Sequence, residues 1–379
     1  TGCGGSASSA GSTAASTGES ASSTSATATS DKEVTIALTG DVSTWNPWKM
    51  NEIVSNSVQR HVYDTLIEVD NDLQLQPSLA TDWYTEDNGK TWIFKLRQGV
   101  TFSNGNPFNA DDVVYSFQTC IAWGQGWASS CGTVASVEKV DDYTVRFTAK
   151  DVDAIMPSSL KDIMILDKET YGDMDEATLD STTTVVGTGR YMLEEYVRDD
   201  HTTLVANPNY WGEKPEAERV VFRSIPNDGT RIASLISEEV DMISNVPVTN
   251  VDTLEKQDHL NIMSEPSIGV MMYSMSECPE DLSSDAQMPI VSPDGINPMS
   301  KKDVRLAIAH AIDYQQLIDE VQNGYAVMAP TLIPEGFNGY NPNIEQYTYD
   351  PELSEQLLDG AGYPRQEDGY RFEITLDCS

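Results

Sequence analysis

A strand, a turn and a capped helix follow one another without interruption between residues 91 and 117, and this unit restricts what the chain can become. In TWIFKLRQGV, Trp92, Phe94 and Leu96 fall on one side of an extended segment and Ile93, Lys95 and Arg97 on the other. Gly99 ends the strand, and the turn-rich SNGNPF leads to Asn109, which is placed to cap a helix with Asp112 at the reciprocal position. Val113, Val114 and Phe117 supply that helix with its buried stripe. A strand followed so closely by an amphipathic helix demands a mixed α/β core.

The remaining pattern extends this reading. Val34, Ile36 and Leu38 alternate with smaller or polar residues in a first strand, and YTVRFTAK, GRYMLEEYV and AERVVFRSI read as further strands. A helix is predicted over 53–63, with Ile53, Val54, Ser57, Val58, His61 and Val62 on one face, and another over 228–237. The best-defined helix starts at Ser300. Ser300 and Asp303 form a capping box there, and Val304, Ala307, Ile308, Ala311 and Ile312 recur at helical spacing. Asp313 restarts a shorter helix closed by Gly324. The last residues, YRFEITLDCS, read as a strand in need of neighbours, which predicts further sequence beyond Ser379. Strict βαβ regularity is missing, and there is no internal repeat.

The chain has 379 residues, enough for two or three domains. Its 23 Lys and Arg against 60 Asp and Glu give a net charge of −37, a field that repels phosphate backbones and excludes nucleic acid as a partner. No apolar run approaches the roughly 18 residues of a membrane-spanning helix. The opening TGCGG resembles the end of a bacterial lipoprotein signal, which implies that Cys3 is lipidated. Residues 4–30 are almost wholly Gly, Ser, Ala and Thr with Glu19 the only charge, and predict a disordered tether spanning about 30 Å. Together these features predict a folded body held at the extracytoplasmic face of a bacterial membrane.

Four more cysteines (Cys120, Cys131, Cys278 and Cys378) and four scattered histidines lack the close pairs of a zinc site, so neither metal nor cofactor is expected. Cys120 and Cys131 are near enough in sequence for a disulfide in an oxidising compartment; two unpaired buried thiols are the alternative. Enzyme motifs are lacking too. Gly89-Lys90-Thr91 imitates the end of a phosphate loop, but Tyr84 stands where its first glycine belongs, and GTGRY reads as a tight turn. Adjacent acids such as Asp111-Asp112 and Asp141-Asp142 read as solvated surface. One loop stands out. In GDVSTWNPWKMNEI, Trp45 and Trp48 bracket an Asn-Pro turn where an ordinary loop would be small and polar, and they serve either as packing or as a ligand surface.

The stretch VYDTLIEVDNDLQLQPSLATDWYTEDNGKTWIFKLRQGVTFSNGNPFNADDVVYSF resembles the extracellular solute-binding proteins of family 5, the peptide- and nickel-type receptors of bacterial ABC importers. Tyr63, Leu66, Pro77, Leu79, Ala80, Trp83, Phe94, Leu96, Arg97, Val100, Phe102, Gly105 and Pro107 fill that family's positions, as do Ala110, Asp112, Val113 and Val114. The likeness continues through VVGTGRYMLEEYV, NPNYWG, VRLAIAHAID and YDPELSEQLLDGAGY. Arg190 departs from a common Pro, Glu238 from a common Gly, and a polar insertion occupies residues 278–298.

The resemblance implies an α/β, two-lobed periplasmic-binding-protein-like type II fold with an extra domain in the first lobe and a second lobe truncated at its C-terminus. Its division would be an anchor and tether (1–30), domain I (31–63 and 187–268), a domain II insert (64–186) and an incomplete domain III (269–379). The implied function is capture of oligopeptides between the lobes, without covalent chemistry, and delivery to an ABC permease with its ATPase, by a monomer anchored through Cys3. Nickel chelates, haem, opines and oligosaccharides are alternative solutes of the same architecture. An extracellular carboxylate-dependent hydrolase and a ligand-sensing receptor are alternatives of another class. The match places Asn51, Glu52 and Ile53 beside the ligand backbone, Trp48 at the rim and Tyr273 on the strand opening domain III. Trp45 reads mostly as packing, and Trp123 and Trp127 either line a side-chain pocket or pack.

Overall fold

The computed structural model describes residues 32–49, 52–124, 126–265, 269–275, 292, 294–333 and 339–374. Cys3, the 4–30 tether, Asn51, Cys278 and Cys378, and most of the 278–298 insertion, lie outside them.

The chain opens with β1 (Glu33–Leu38) and α1 (Ile53–Gln59), then β2 (Ile67–Val69), β3 (Leu75–Pro77), β4 (Ala80–Thr85) and β5 (Thr91–Leu96). Helix α2 (Ala110–Trp123) and a 3-10 helix (Gly126–Thr133) lead to β6 (Val134–Asp141) and β7 (Thr144–Ala149). Short helices α3 (Met156–Leu160), α4 (Lys168–Tyr171) and α5 (Glu176–Ser181) precede β8 (Tyr191–Val197), β9 (His201–Ala206) and β10 (Arg219–Ser224). Then come α6 (Asp228–Ile236), β11 (Met242–Ile243), α7 (Val251–Leu254), α8 (Lys302–Ala311), α9 (Tyr314–Gln316) and α10 (Pro351–Gly360).

Besides the two-stranded pair β2-β3, two larger sheets organise the described residues up to 250. One has the order β11-β1-β10-β9-β8, with β1 parallel to both neighbours and the rest antiparallel. The other, β4-β5-β7-β6, is antiparallel and is formed from residues lying between α1 and β8 in sequence. Helix α2 covers this second sheet, with Phe117 edge-on to Phe147 at 4.8 Å and Phe147 against Phe94 at 5.0 Å. The expected cap is present: the Asn109 amide donates to Asp112 Oδ2 at 2.9 Å and the Asp111 amide donates to Asn109 Oδ1 at 2.8 Å.

Some expected elements differ. Helix α1 stops at Gln59 and buries Ser55, Val58 and Gln59, leaving Ile53 80% exposed. Its face is turned because Ser55 and Gln59 bond to the loop at residues 43 and 44. Helix α8 has Lys301 at its N-cap without a side-chain cap bond, because Ser300 Oγ instead donates to Asn297 O at 2.7 Å within the preceding 3-10 turn. Residues 370–374 form no regular strand, only an isolated bridge position, and 375–379 lie outside the described residues.

The chain passes between the two sheets twice, and the crossings touch. Gly189 N donates to Val62 O (2.8 Å) and Tyr191 N to His61 O (2.9 Å). A Cβ on Gly187 would sit 2.1 Å from Val62 O, so only glycine permits this approach. Beside it, Asp64 Oδ2 accepts from Thr188 Oγ1 at 2.9 Å and Trp211 Nε1 at 2.8 Å, while the Arg97 guanidinium lies 4.2 Å from the Trp211 ring centroid. Burial raises the Asp64 carboxyl to about 6 against the pull of these two donors, with Glu68 raising it further and Arg190 lowering it.

Two outcomes follow from the crossing. Gly187→Ala should lower the unfolding free energy in urea by about 3 kcal/mol, whereas Gly40→Ala, whose Cβ meets nothing within 4 Å, should stay within about 0.5 kcal/mol. Between the carboxyl's ordinary 3.8 and about 6, native Asp64 holds a proton that the unfolded chain has released. Its contribution is therefore fully present below the lower value and is lost as pH rises through the upper one. Asp112, also raised to about 6 by burial, acts with the same sign. Wild-type stability should fall between pH 5 and 7.5 more steeply than that of Asp64→Asn, by on the order of 1 kcal/mol in urea titrations.

Candidate functional site

The loop after β1 is held from both sides. Toward the five-stranded sheet, Tyr196 OH donates to Asp41 Oδ2 and lies equally close to Val42 O (2.9 Å each), and the Tyr196 ring meets Trp45 edge-on at 5.8 Å. Burial, aided by the bond to Asp41, pushes the Tyr196 hydroxyl up to about 12, so it stays a proton donor at neutral pH. Toward α1, Ser43 N donates to Ser55 Oγ at 3.0 Å and Gln59 Nε2 to Thr44 O at 2.5 Å.

The Asn-Pro turn faces the other way. Asn46 is fully buried; its Nδ2 donates to Asp180 Oδ1 at 2.8 Å and its Oδ1 accepts from Trp48 N at 3.1 Å. Trp48 Nε1 donates to Met164 O at 2.8 Å, and its ring lies 5.8 Å from Trp123 and 6.1 Å from Tyr115, both at steep angles. Lys49 pairs with Asp180, whose hydrogen bond holds the ammonium above its usual range, and lies 3.7 Å from Glu176. The 3-10 helix closes the seat. Ala128 N donates to Trp48 O at 3.3 Å, and a Cβ on Gly126 would stand 2.3 Å from Lys49 O.

This geometry answers the choice posed by the two tryptophans. Trp45 is 3% exposed and Trp48 is completely buried, so the expectation that Trp48 stands at a rim is corrected: its apolar ring and its indole N–H are both consumed inside. Trp123 is the wall against which Trp48 packs, and Trp127 lies partly buried against the same core. Beyond the exposed Ser43 and Lys49, the loop presents its far end to solvent. Ile53 is exposed, and Glu52, half-buried, accepts from Ser55 Oγ at 3.1 Å. Asn51 lies outside the described residues. Tyr273 belongs to another neighbourhood, the segment 269–275, which forms no regular strand where one is expected, with exposed Met271 and Met272 and with Tyr314 near enough for the two phenols to interact.

Sequence reasoning missed Asp180, Met164, Tyr196 and Gly126, which build the seat. None carries a local signal, since the bonds from Asn46 and Trp48 span 134 and 116 residues. Cys120 and Cys131 are unlinked, buried thiols in the structure, so of the two alternatives it contains the free pair. Among the described residues, no group of three or more His, Cys, Asp or Glu is arranged to hold a metal ion, and no helix is long and apolar enough to cross a membrane.

Residues 74–378 match the profile of the bacterial extracellular solute-binding proteins, family 5 (middle region). Heme-binding protein A of Haemophilus influenzae is 30% identical over 82% of this chain and 58% of its own length. The dipeptide-binding protein of Escherichia coli is 27% identical over 83% of this chain and 59% of its own. Among solved structures, Helicobacter pylori DppA in complex with the peptide STSA superposes with a TM-score of 0.70 at 27% identity, covering 88% of this chain and 66% of that one. The chain thus spans about three-fifths of the length of these curated relatives. The α/β, two-lobed periplasmic-binding-protein fold is the one it shares with these structures. The chain belongs to the bacterial extracellular solute-binding proteins of family 5.

Proposed function

We propose that this protein is the extracytoplasmic substrate-binding component of an ABC importer, which captures oligopeptides between two lobes and delivers them to a membrane permease and its ATPase. Binding is non-covalent, and Cys3 anchors the protein to the membrane through the 4–30 tether. The first lobe comprises residues 31–63 and 187–268 with 64–186 inserted, and 269–379 contribute to the second. Similarity to the E. coli dipeptide-binding protein and to a peptide-bound H. pylori structure supports peptides as the ligand class.

One observation carries the reading at the level of residues. A large apolar side chain, Ile53, is 80% exposed at the end of a loop whose two tryptophans are buried, Trp48 with its indole N–H bonded to Met164 O. An edge so firmly backed presents its ligand-facing residues at little entropic cost on binding. In this reading Asn51, Glu52 and Ile53 meet the peptide backbone and Tyr273 meets it from the second lobe, while Trp45 and Trp48 act as supports.

Calorimetric titration of the full-length protein with a random tetrapeptide mixture should give saturable heat. Ile53→Asp should weaken that binding about tenfold and leave stability within about 0.5 kcal/mol, as befits an exposed position. No heat and no displacement of co-purified peptide, together with saturable binding of haem or a nickel–histidine chelate, would replace the peptide reading with one of those solutes.

A further inference from the structure

Arg231 stands in the first turn of α6 and is completely buried, a rare place for a guanidinium. Its N–H donors are all spent. Nε donates to Ser244 O at 3.2 Å, and Nη1 donates to Ile225 O at 2.9 Å and to Pro226 O at 3.3 Å. Nη2 donates to Asn245 O at 3.0 Å and to Asp228 Oδ1 at 2.6 Å. Asp228 is itself exposed, so backbone carbonyls, and not a buried counter-charge, compensate most of the cation's burial. Those carbonyls mark one place in the fold. Ile225 and Pro226 directly follow β10, and Ser244 and Asn245 directly follow β11, the two strands that flank β1 in parallel. Ile225 N donates to Leu38 O at 2.9 Å and Ser244 N to Ala37 O at 3.1 Å. The loop that carries the candidate ligand edge leaves β1 at Leu38. In open α/β sheets, ligands bind outside the carboxyl ends of parallel strands. Three such ends meet here, and Arg231 stitches the outer two together beside the middle one.

We propose that Arg231 is a positioning residue for solute binding: its guanidinium locks the carboxyl ends of β10 and β11 against β1 and so fixes the point from which the ligand-bearing loop departs. The proposal rests on the reading of that loop as a ligand edge. Arg231 does not meet the solute itself, since it has neither a spare donor nor exposed surface. A planar fork that reaches carbonyls in two loops at once cannot be replaced by lysine, whose ammonium gathers its donors at one point. Helix α6 has a separate hold on the sheet through Ile232, which packs with Ala37, Val240 and Ile243. Loss of the clamp therefore leaves α6 docked but frees the exit of β1, and a solute must then order that exit as it binds.

The test compares the full-length wild type with Arg231→Lys and with Ile232→Val, which trims helix packing alone. Hydrogen exchange is read at the Ile225 and Ser244 amides relative to the amides of α2, which report unfolding elsewhere. Arg231→Lys should speed that relative exchange about tenfold and weaken binding of the random tetrapeptide mixture about tenfold. Ile232→Val should leave both within about twofold of the wild type. In wild-type protein with isotope-labelled arginine, one guanidinium should show separate Nη–H signals, because its hydrogen bonds bar rotation. That readout holds even if a variant folds poorly. Unchanged relative exchange in Arg231→Lys, or rotationally averaged Nη–H signals from every arginine, would overturn the clamp. Faster exchange with wild-type peptide affinity, or an equal loss of affinity in Ile232→Val, would overturn its part in positioning the ligand edge. If the wild type itself gives no heat with peptides, the peptide reading fails, while the exchange and arginine signals still decide the clamp.

Discussion

Val62 and Gly187 meet backbone to backbone, and that contact ties the two chain crossings between the five-stranded and four-stranded sheets. Residues 61–64 leave the five-stranded sheet region just where residues 187–191 return to it. Two chain crossings side by side would act as a loose pair of threads unless tied. Here backbone hydrogen bonds tie them, with glycine permitting the approach, and a buried carboxylate adds a second knot through Thr188 and Trp211. Asp64 carries a cost for its position, visible in its raised proton affinity, which the two donors only partly offset.

With the crossing fixed, the loop after β1 can be gripped from two directions at once. Tyr196 and α1 hold its first half, and Asp180, Met164 and the 3-10 helix hold its second. An Asn-Pro turn is suited to this task. Asn46 uses both ends of its amide, one toward Asp180 and one toward the Trp48 backbone, so the turn is rigid without regular secondary structure. A rigid edge loses little freedom when a ligand arrives, which links the packing of two tryptophans to binding by neighbours they do not themselves expose.

The legible parts of the chain were those set by local rules. The β5 strand, its turn and the Asn109–Asp112 cap could be read residue by residue because alternation and capping act over a few positions. The family could be read because its motifs run in order along most of the chain. Elsewhere local reading failed for identifiable reasons. The 53–63 pattern groups Ile53, Val54, Ser57, Val58, His61 and Val62 on one face, yet α1 turns Ser55 and Gln59 inward because a loop ten or more residues upstream needs their hydrogen bonds. Ser300 stands at a capping-box position in the sequence, but its hydroxyl is taken by Asn297 O. Trp48 looked like a rim residue because nothing near it in sequence announces Met164 or Asp180. Hydrophobic pattern tells that a side chain seeks cover, and long-range topology decides which cover it finds.

The central claim is that ligand meets the exposed end of this loop and not its tryptophans. Hydrogen–deuterium exchange with and without a saturating peptide mixture tests it most directly. Slowed exchange confined to residues 51–55 and the segment around Tyr273, with the amides of Trp48 and Ala128 already slow and unchanged, is the predicted footprint. Peptide-dependent protection centred on residues 45–49 or on the sheet of β4 to β7, with none at 51–55, would contradict it.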